Sequence, residues 1–263
     1  MRIAFLLCLL PVLALAQDFT AEEISRWEAR AAQVEIIRDN WGIPHIYGKT
    51  DADAVFGMLY AQCEDDFPRV EENYLISTGQ RALADGEDFI YHDLRARLWM
   101  DSTDAIQLYN EAPEWLQELC NAFADGINYY LHTHPKVEPK WIQRFQPWMP
   151  FTFSEGSIGG DITRVSTSDL ANFYGDASIG ALDTDELVPD HLLAPMGSNG
   201  FAVSKRKTEE GRSLLLINPH VTFFYRSEQQ VVSEENSVVN TCTSLLFFLV
   251  RKGFLENGGA AGD

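Results

Sequence analysis

Ser198 stands between glycines in Gly197-Ser198-Asn199-Gly200, and His220 closes the later run Asn218-Pro219-His220. A serine hydroxyl is a weak nucleophile that needs a positioned base, most often a histidine within hydrogen-bond reach. The residues between them read as two strands: Phe201 and Val203 alternate with Ala202 and Ser204, a basic, acidic and Gly211-containing stretch turns the chain, and "SLLLI" reads as a buried strand. An antiparallel register of the pair would bring His220 to the Ser198 end. An isolated serine between glycines is also an ordinary turn residue. On these residues alone both readings stand.

Other chemistry-bearing residues read more plainly. Cys63, Cys120 and Cys242 follow a Cys8 that lies inside an N-terminal apolar run, and their spacings fit no metal or redox motif. Cys63 and Cys120 fall at helix-core positions. His132 and His134, in "HTHP", could suggest a metal but sit at a helix end, where a polar C-terminal cap is the better reading. Arg38, Asp39 and His45 read as hydrogen-bonding or packing residues of a hairpin. No glycine-rich phosphate loop follows a strand.

The elements that must hold Ser198 are ordered helices first, then a new sheet. "AEEISRWEARAAQ" is a short helical lead, and "VEIIRDNWGIPHIYG" is a hairpin turning at Asn40-Trp41-Gly42. Thr50 or Asp51 caps a long helix carrying Val55, Leu59 and Cys63 at helical spacing, bent or interrupted near Pro68. A second helical zone, 102–132, has an apolar face of Ile106, Tyr109, Trp115, Leu116, Leu119, Phe123, Ile127 and Leu131, and Pro113 divides it. "PKVEPKWIQRFQPWMPF" reads as an ordered loop crossing the helical layer. From Glu155 the chain turns to Gly, Ser, Thr and Asp, and residues 161–197 read as a polar linker or removable spacer. Leu214 to Ile217 is expected in the centre of a sheet. This order is segregated α+β rather than repeating βαβ.

The 263 residues and 46% apolar content suffice for a buried core. A net charge of −19 excludes a nucleic-acid partner, because phosphates would be repelled, and otherwise reads as solubility. The start, "MRIAFLLCLLPVLALAQDF", has one arginine, a short apolar run and Ala14-Leu15-Ala16 before Gln17. Residues 1–16 therefore read as a secretory signal peptide cut after Ala16, which places the product in the periplasm or outside the cell. The run is too short to serve as a stable membrane anchor.

Two blocks carry a family resemblance. "VEIIRDNWGIPHIYG" with "ADAVFGMLYAQCEDDF" resembles the start of the α chain of a penicillin amidase family precursor, and "GSNGFAVSKRKTEEGRSLLLINPHV" resembles the start of its β chain. The resemblance implies an N-terminal nucleophile hydrolase fold, an αββα sandwich present only in part. Residues 17–160 would be the mostly helical α-chain region, and residues 198–235 the start of the nucleophile domain. It further implies that Ser198 is freed by autocleavage after Gly197 and then uses its own α-amine as base. His220 would line the site and help orient the serine or its amine. Arg164 resembles a position bordering the acyl pocket, and Asp169 or Asp161 could supply the α-chain acid of a structural calcium site. Catalysis would need no cofactor, and the substrate would be an N-acylated small molecule of penicillin or acyl-homoserine-lactone type. The α and β chains would come from one precursor.

The resemblance runs over about residues 34–235. A family β chain continues well beyond, with oxyanion-hole donors from a main-chain N–H and an asparagine. Residues 236–263, with "SLLFFLV" and a Gly/Ala ending, resemble no such continuation and read as a truncated or frame-shifted product of a longer gene. The run has the apolarity of an aggregation-prone segment. The alternative function is therefore a catalytically inactive secreted remnant or binding fragment.

Overall fold

A computed structural model of the protein describes residues 19–152, 165–174, 197–220, 229–235 and 240–241. Residues 1–16, read above as a signal peptide, and Asp161, Arg164, Cys242 and the run "SLLFFLV" lie outside them. The order is α1 (Ala21–Ala31), β1 (Val34–Arg38), β2 (Pro44–Gly48), α2 (Asp51–Ser77), α3 (Arg81–Asp85), α4 (Ile90–Trp99), α5 (Ser102–Glu111), α6 (Glu114–Thr133), α7 (Thr167–Tyr174), β3 (Gly197–Val203), β4 (Leu214–His220), β5 (Gln230–Ser233) and β6 (Asn240–Thr241).

Local chemistry accounts for the element ends. Thr20 and Glu23 form a capping box on α1, and Thr50 and Asp53 form another on α2. The turn between β1 and β2 is fixed by the Asp39 carboxylate, which accepts from the Trp41 and Ile43 amides at 2.8 and 3.0 Å, and by Gly42 at φ 82°. β1 and β2 pair antiparallel with Ile36 opposite Ile46, as the sequence pattern requires. Helix α2 breaks at Asp66, two residues ahead of Pro68, whose ring displaces the preceding turn. Pro113 separates α5 from α6, and Asp101 caps α5 by accepting from the Thr103 and Asp104 amides.

Helix α2 runs between a sheet and α6. On the sheet side, a Cβ on Gly57 would stand 2.5 Å from the Val34 side chain and 2.8 Å from that of Ile46. On the other, a Cβ on Gly126 of α6 would meet the Phe56 carbonyl at 2.5 Å, so the two helices touch through backbone. Val55, Phe56 and Leu59 of α2, Phe123 and Ile127 of α6, and Ile46 and Val231 of the sheet form one core. Helix α1 is tied to α6 by Asp125, which accepts from the Trp27 indole at 2.6 Å and from Arg26 at 2.8 Å.

The segment after α6 is pinned rather than laid across the surface. Ile142, Phe145 and Met149 enter the core, and Asn128 exchanges two 2.9 Å hydrogen bonds with the Phe145 backbone. Arg144 pairs with Glu23 of α1 and lies over the Phe19 ring. That pairing holds the Glu23 carboxyl at about 2, below its ordinary 4.5, with the Arg144 hydrogen bond the main cause. A depressed carboxylate contributes stability that is complete above its unfolded value and is lost as pH falls through the folded one. We therefore expect Glu23→Gln to flatten the acid limb of stability between about pH 4.5 and about pH 2. An unchanged acid limb in a chemical-denaturation series would contradict this.

Three expectations need correction. The sheet against the helices is β1-β2-β5-β6, with β2 and β5 parallel, while β3 and β4 form a separate two-stranded sheet. Leu214, Leu215 and Leu216 are not buried: Leu215 is 71% exposed and Phe201 opposite Leu216 is 60% exposed, because no layer among the described residues covers either face of this hairpin. Ile106 is exposed too, since α5 packs against the turn Met149–Thr152 with Ala105 as its buried residue. Within residues 161–197, helix α7 buries Leu170 and Ala171 against Tyr91 of α4.

Candidate active site

The geometry around Ser198 is set by main-chain register. Strands β3 and β4 pair antiparallel, with Gly197 opposite His220, Ser198 opposite Pro219 and Asn199 opposite Asn218. The Gly197–Ser198 peptide bond thus lies at the open end of the hairpin, facing the Pro219–His220 dipeptide. Pro219 has no N–H, so the partner of Ser198 contributes no donor to the ladder there. The turn at the other end runs through Lys205–Lys207 and Gly211, at φ 66°, and projects Lys205, Arg206 and Lys207 into solvent.

The described residues do not bring the remaining candidates to this point. Arg164 lies outside them. Asp169 is exposed in the first turn of α7, where its amide donates to the Ser166 hydroxyl at 3.3 Å, and α7 packs on α4. Calcium takes six to eight oxygen ligands, and among the described residues no group of three or more acids or other metal-binding side chains gathers.

Several residues take structural places that the sequence suggested. Arg38 donates to the Gly42 carbonyl and pairs with Glu64 and Asp65 at 3.0 and 2.7 Å, joining the hairpin to α2. His45 lies 3.5 Å from Asp39. His134 caps α6 with its ring nitrogen 3.0 Å from the Tyr130 carbonyl. Cys63 and Cys120 are buried free thiols, and burial pushes Cys120 up to about 12 and raises Cys63 as well, so neither supplies a thiolate nucleophile.

Sequence reasoning missed the buried polar residues that hold the helical layer and its sheet together. Glu71, in the interior of α2, accepts from the Lys140, Trp141 and Ile142 amides. Ser233 of β5 donates to the buried Asp51 carboxylate at the start of α2. Gln229, just before β5, is buried with neither side-chain polar atom partnered. The only prior signal was the β-branched pair Val231-Val232, too short to separate a strand from a loop.

Comparison with known proteins gives this geometry its context. The chain is 24% identical over 209 residues to an acyl-homoserine lactone acylase PvdQ of Pseudomonas putida, covering 72% of this chain and 27% of that protein. It is 27% identical over 202 residues to a penicillin G acylase of Escherichia coli, covering 73% and 22% respectively. The chain thus spans about a quarter of the length of these relatives. A solved structure of a thermostable penicillin G acylase from Alcaligenes faecalis aligns with TM-score 0.44 and 17% identity, covering 59% of this chain and 90% of that one. The described residues are α+β in architecture, a helical layer packed on a four-stranded sheet with a separate β3–β4 hairpin. With the penicillin amidase model matching residues 33–233, from the start of β1 to the end of β5, the chain belongs to the penicillin amidase family.

Proposed function

We propose that this chain is the front part of an exported amidase that hydrolyses the amide bond of an N-acylated small molecule, with Ser198 as an N-terminal nucleophile. The observation that supports this most directly is the register that sets Gly197 and Ser198 opposite His220 and Pro219, inside the span matched by the family. In the precursor the Ser198 hydroxyl attacks the Gly197 carbonyl, and an N-to-O acyl shift forms an ester. Water then hydrolyses the ester, leaving a carboxylate on Gly197 and a free α-amine on Ser198. That amine, with an ordinary pKa near 8, is suited to take the hydroxyl proton during attack on a substrate amide. The acyl group passes to the Ser198 oxygen, the protonated amine leaves, and water releases the acid. His220, across from Gly197, orients the serine or its amine.

Two chains from one precursor follow from this reading. Residues 1–16 direct export, and among the described residues no helix is long and apolar enough to cross a membrane. N-terminal sequencing of the protein expressed from its longer gene should find two starts, Gln17 and Ser198. The same preparation should release free amine from an aromatic-acyl or a long-chain N-acyl substrate. A Ser198 terminus with no turnover on either class would favour the binding-fragment alternative.

A further inference from the structure

Strand β5 belongs to the part of the chain after Ser198, yet it lies in the sheet built by residues before it. His45 pairs with Gln230, Ile46 with Val231, Tyr47 with Val232 and Gly48 with Ser233. The ladder continues where the Glu234 amide donates to the Gly48 carbonyl at 3.1 Å, and the Asp51 amide donates to the Glu235 carboxylate at 2.9 Å. Val231 is 2% exposed and enters the core beside Ile46. Ser233, 3% exposed, donates its hydroxyl to the carboxylate of Asp51, itself 1% exposed. Lys49 pairs with Glu234 at the rim. A carboxylate at the first position of α2 is favoured by the helix dipole, and a buried charged acceptor makes the Ser233 hydrogen bond stronger than a neutral one.

This arrangement matters only if the chain is cut. Intact, the β3–β4 hairpin is tethered to the helical layer from both sides. Cut after Gly197, Ser198 reaches that layer along its own chain only through residues 221–229 into β5. We infer that residues 230–235, latched by Ser233 on Asp51, are the clasp that holds the new chain beginning at Ser198 to the chain ending at Gly197, and so a positioning element for the nucleophile. The partner it fits is a second polypeptide released from the same precursor, recognised by parallel strand addition to the edge of β2, by the Val231 side chain and by one buried hydroxyl. The inference rests on the proposed cut, but its test need not.

In the Ser198→Ala form of the chain, a protease recognition sequence placed within residues 175–196 allows the cut to be made deliberately. An N-terminal affinity tag then reports how much of the C-terminal fragment is retained on dilution. We expect full retention in this background. Ser233→Ala or Asp51→Ala should weaken retention by at least about tenfold, as loss of a hydrogen bond to a charged group implies. Their effects should be strongly less than additive together, and Asp51→Asn, which keeps an accepting oxygen, should recover part of the retention. Helical circular dichroism of each uncut variant should match that of the parent. Release of the fragment from the Ser198→Ala parent, or retention unchanged by Ser233→Ala, would overturn the clasp. Failure of the wild-type precursor to cut itself would count against the nucleophile reading alone.

Discussion

Ser198→Ala in the full-length precursor should leave one uncut chain with no measurable amidase turnover, a loss of about a millionfold if nucleophile knockouts elsewhere are a guide. The substitution removes two things at once. Without the hydroxyl there is no attack on the Gly197 carbonyl, so no ester forms. Without the cut there is no α-amine to act as base. Ser198→Cys separates the two, because a thiol can carry out the shift but meets the substrate with altered geometry, so it should process and hydrolyse poorly. His220→Ala should still fold and lose only part of the rate, since it stands beside Gly197 in the register and the amine remains. Mass analysis of the chains with single-turnover assays reads all three results. Efficient turnover by uncut Ser198→Ala protein would remove Ser198 from the mechanism.

What the sequence revealed divides along the range of the interactions involved. The β1–β2 hairpin, the Thr50 cap, the break near Pro68 and the division at Pro113 are local, written in residues a few positions apart. The pairing of the strands that carry Gly197, Ser198 and His220 was legible for the same reason, since antiparallel pairing of neighbours needs no distant information. Strand β5 was not legible, because its burial depends on β2 and α2, whose partner residues lie more than a hundred positions earlier. The Leu214-Leu215-Leu216 run shows the converse failure. A continuous apolar run announces that both faces want covering but not which layer covers them, and among the described residues none does. Helix α7 was hidden by composition, since of its buried residues Thr167, Leu170 and Ala171 only two are apolar, in a polar segment.

Replacing Glu71 should be the most damaging change away from Ser198. It stands between Val70 and Glu72 on a long helix and is 2% exposed. Its carboxylate accepts from Lys140 N at 2.9 Å, Trp141 N at 2.7 Å and Ile142 N at 2.9 Å, so it acts as the terminus of a chain segment that has no helix or strand to satisfy those amides. Downstream of that anchor, Ile142, Phe145 and Met149 fill the core between α2 and α6. Glu71→Ala orphans three donors, deletes the bonds to a charged acceptor and leaves a cavity. The expected cost is about 3–5 kcal/mol, a drop in melting temperature of roughly 6–15 °C for a chain of this size. Glu71→Gln keeps the volume but turns an amide N–H₂ toward the donors, so it should recover less than half of the loss. The neighbouring Glu72, half-exposed and paired with Arg81, is the control, and Glu72→Ala should stay within about 1 kcal/mol. If thermal melts place Glu71→Ala beside Glu72→Ala, the three amide bonds are not what holds the 136–152 segment in the core, and its apolar anchors alone must do so.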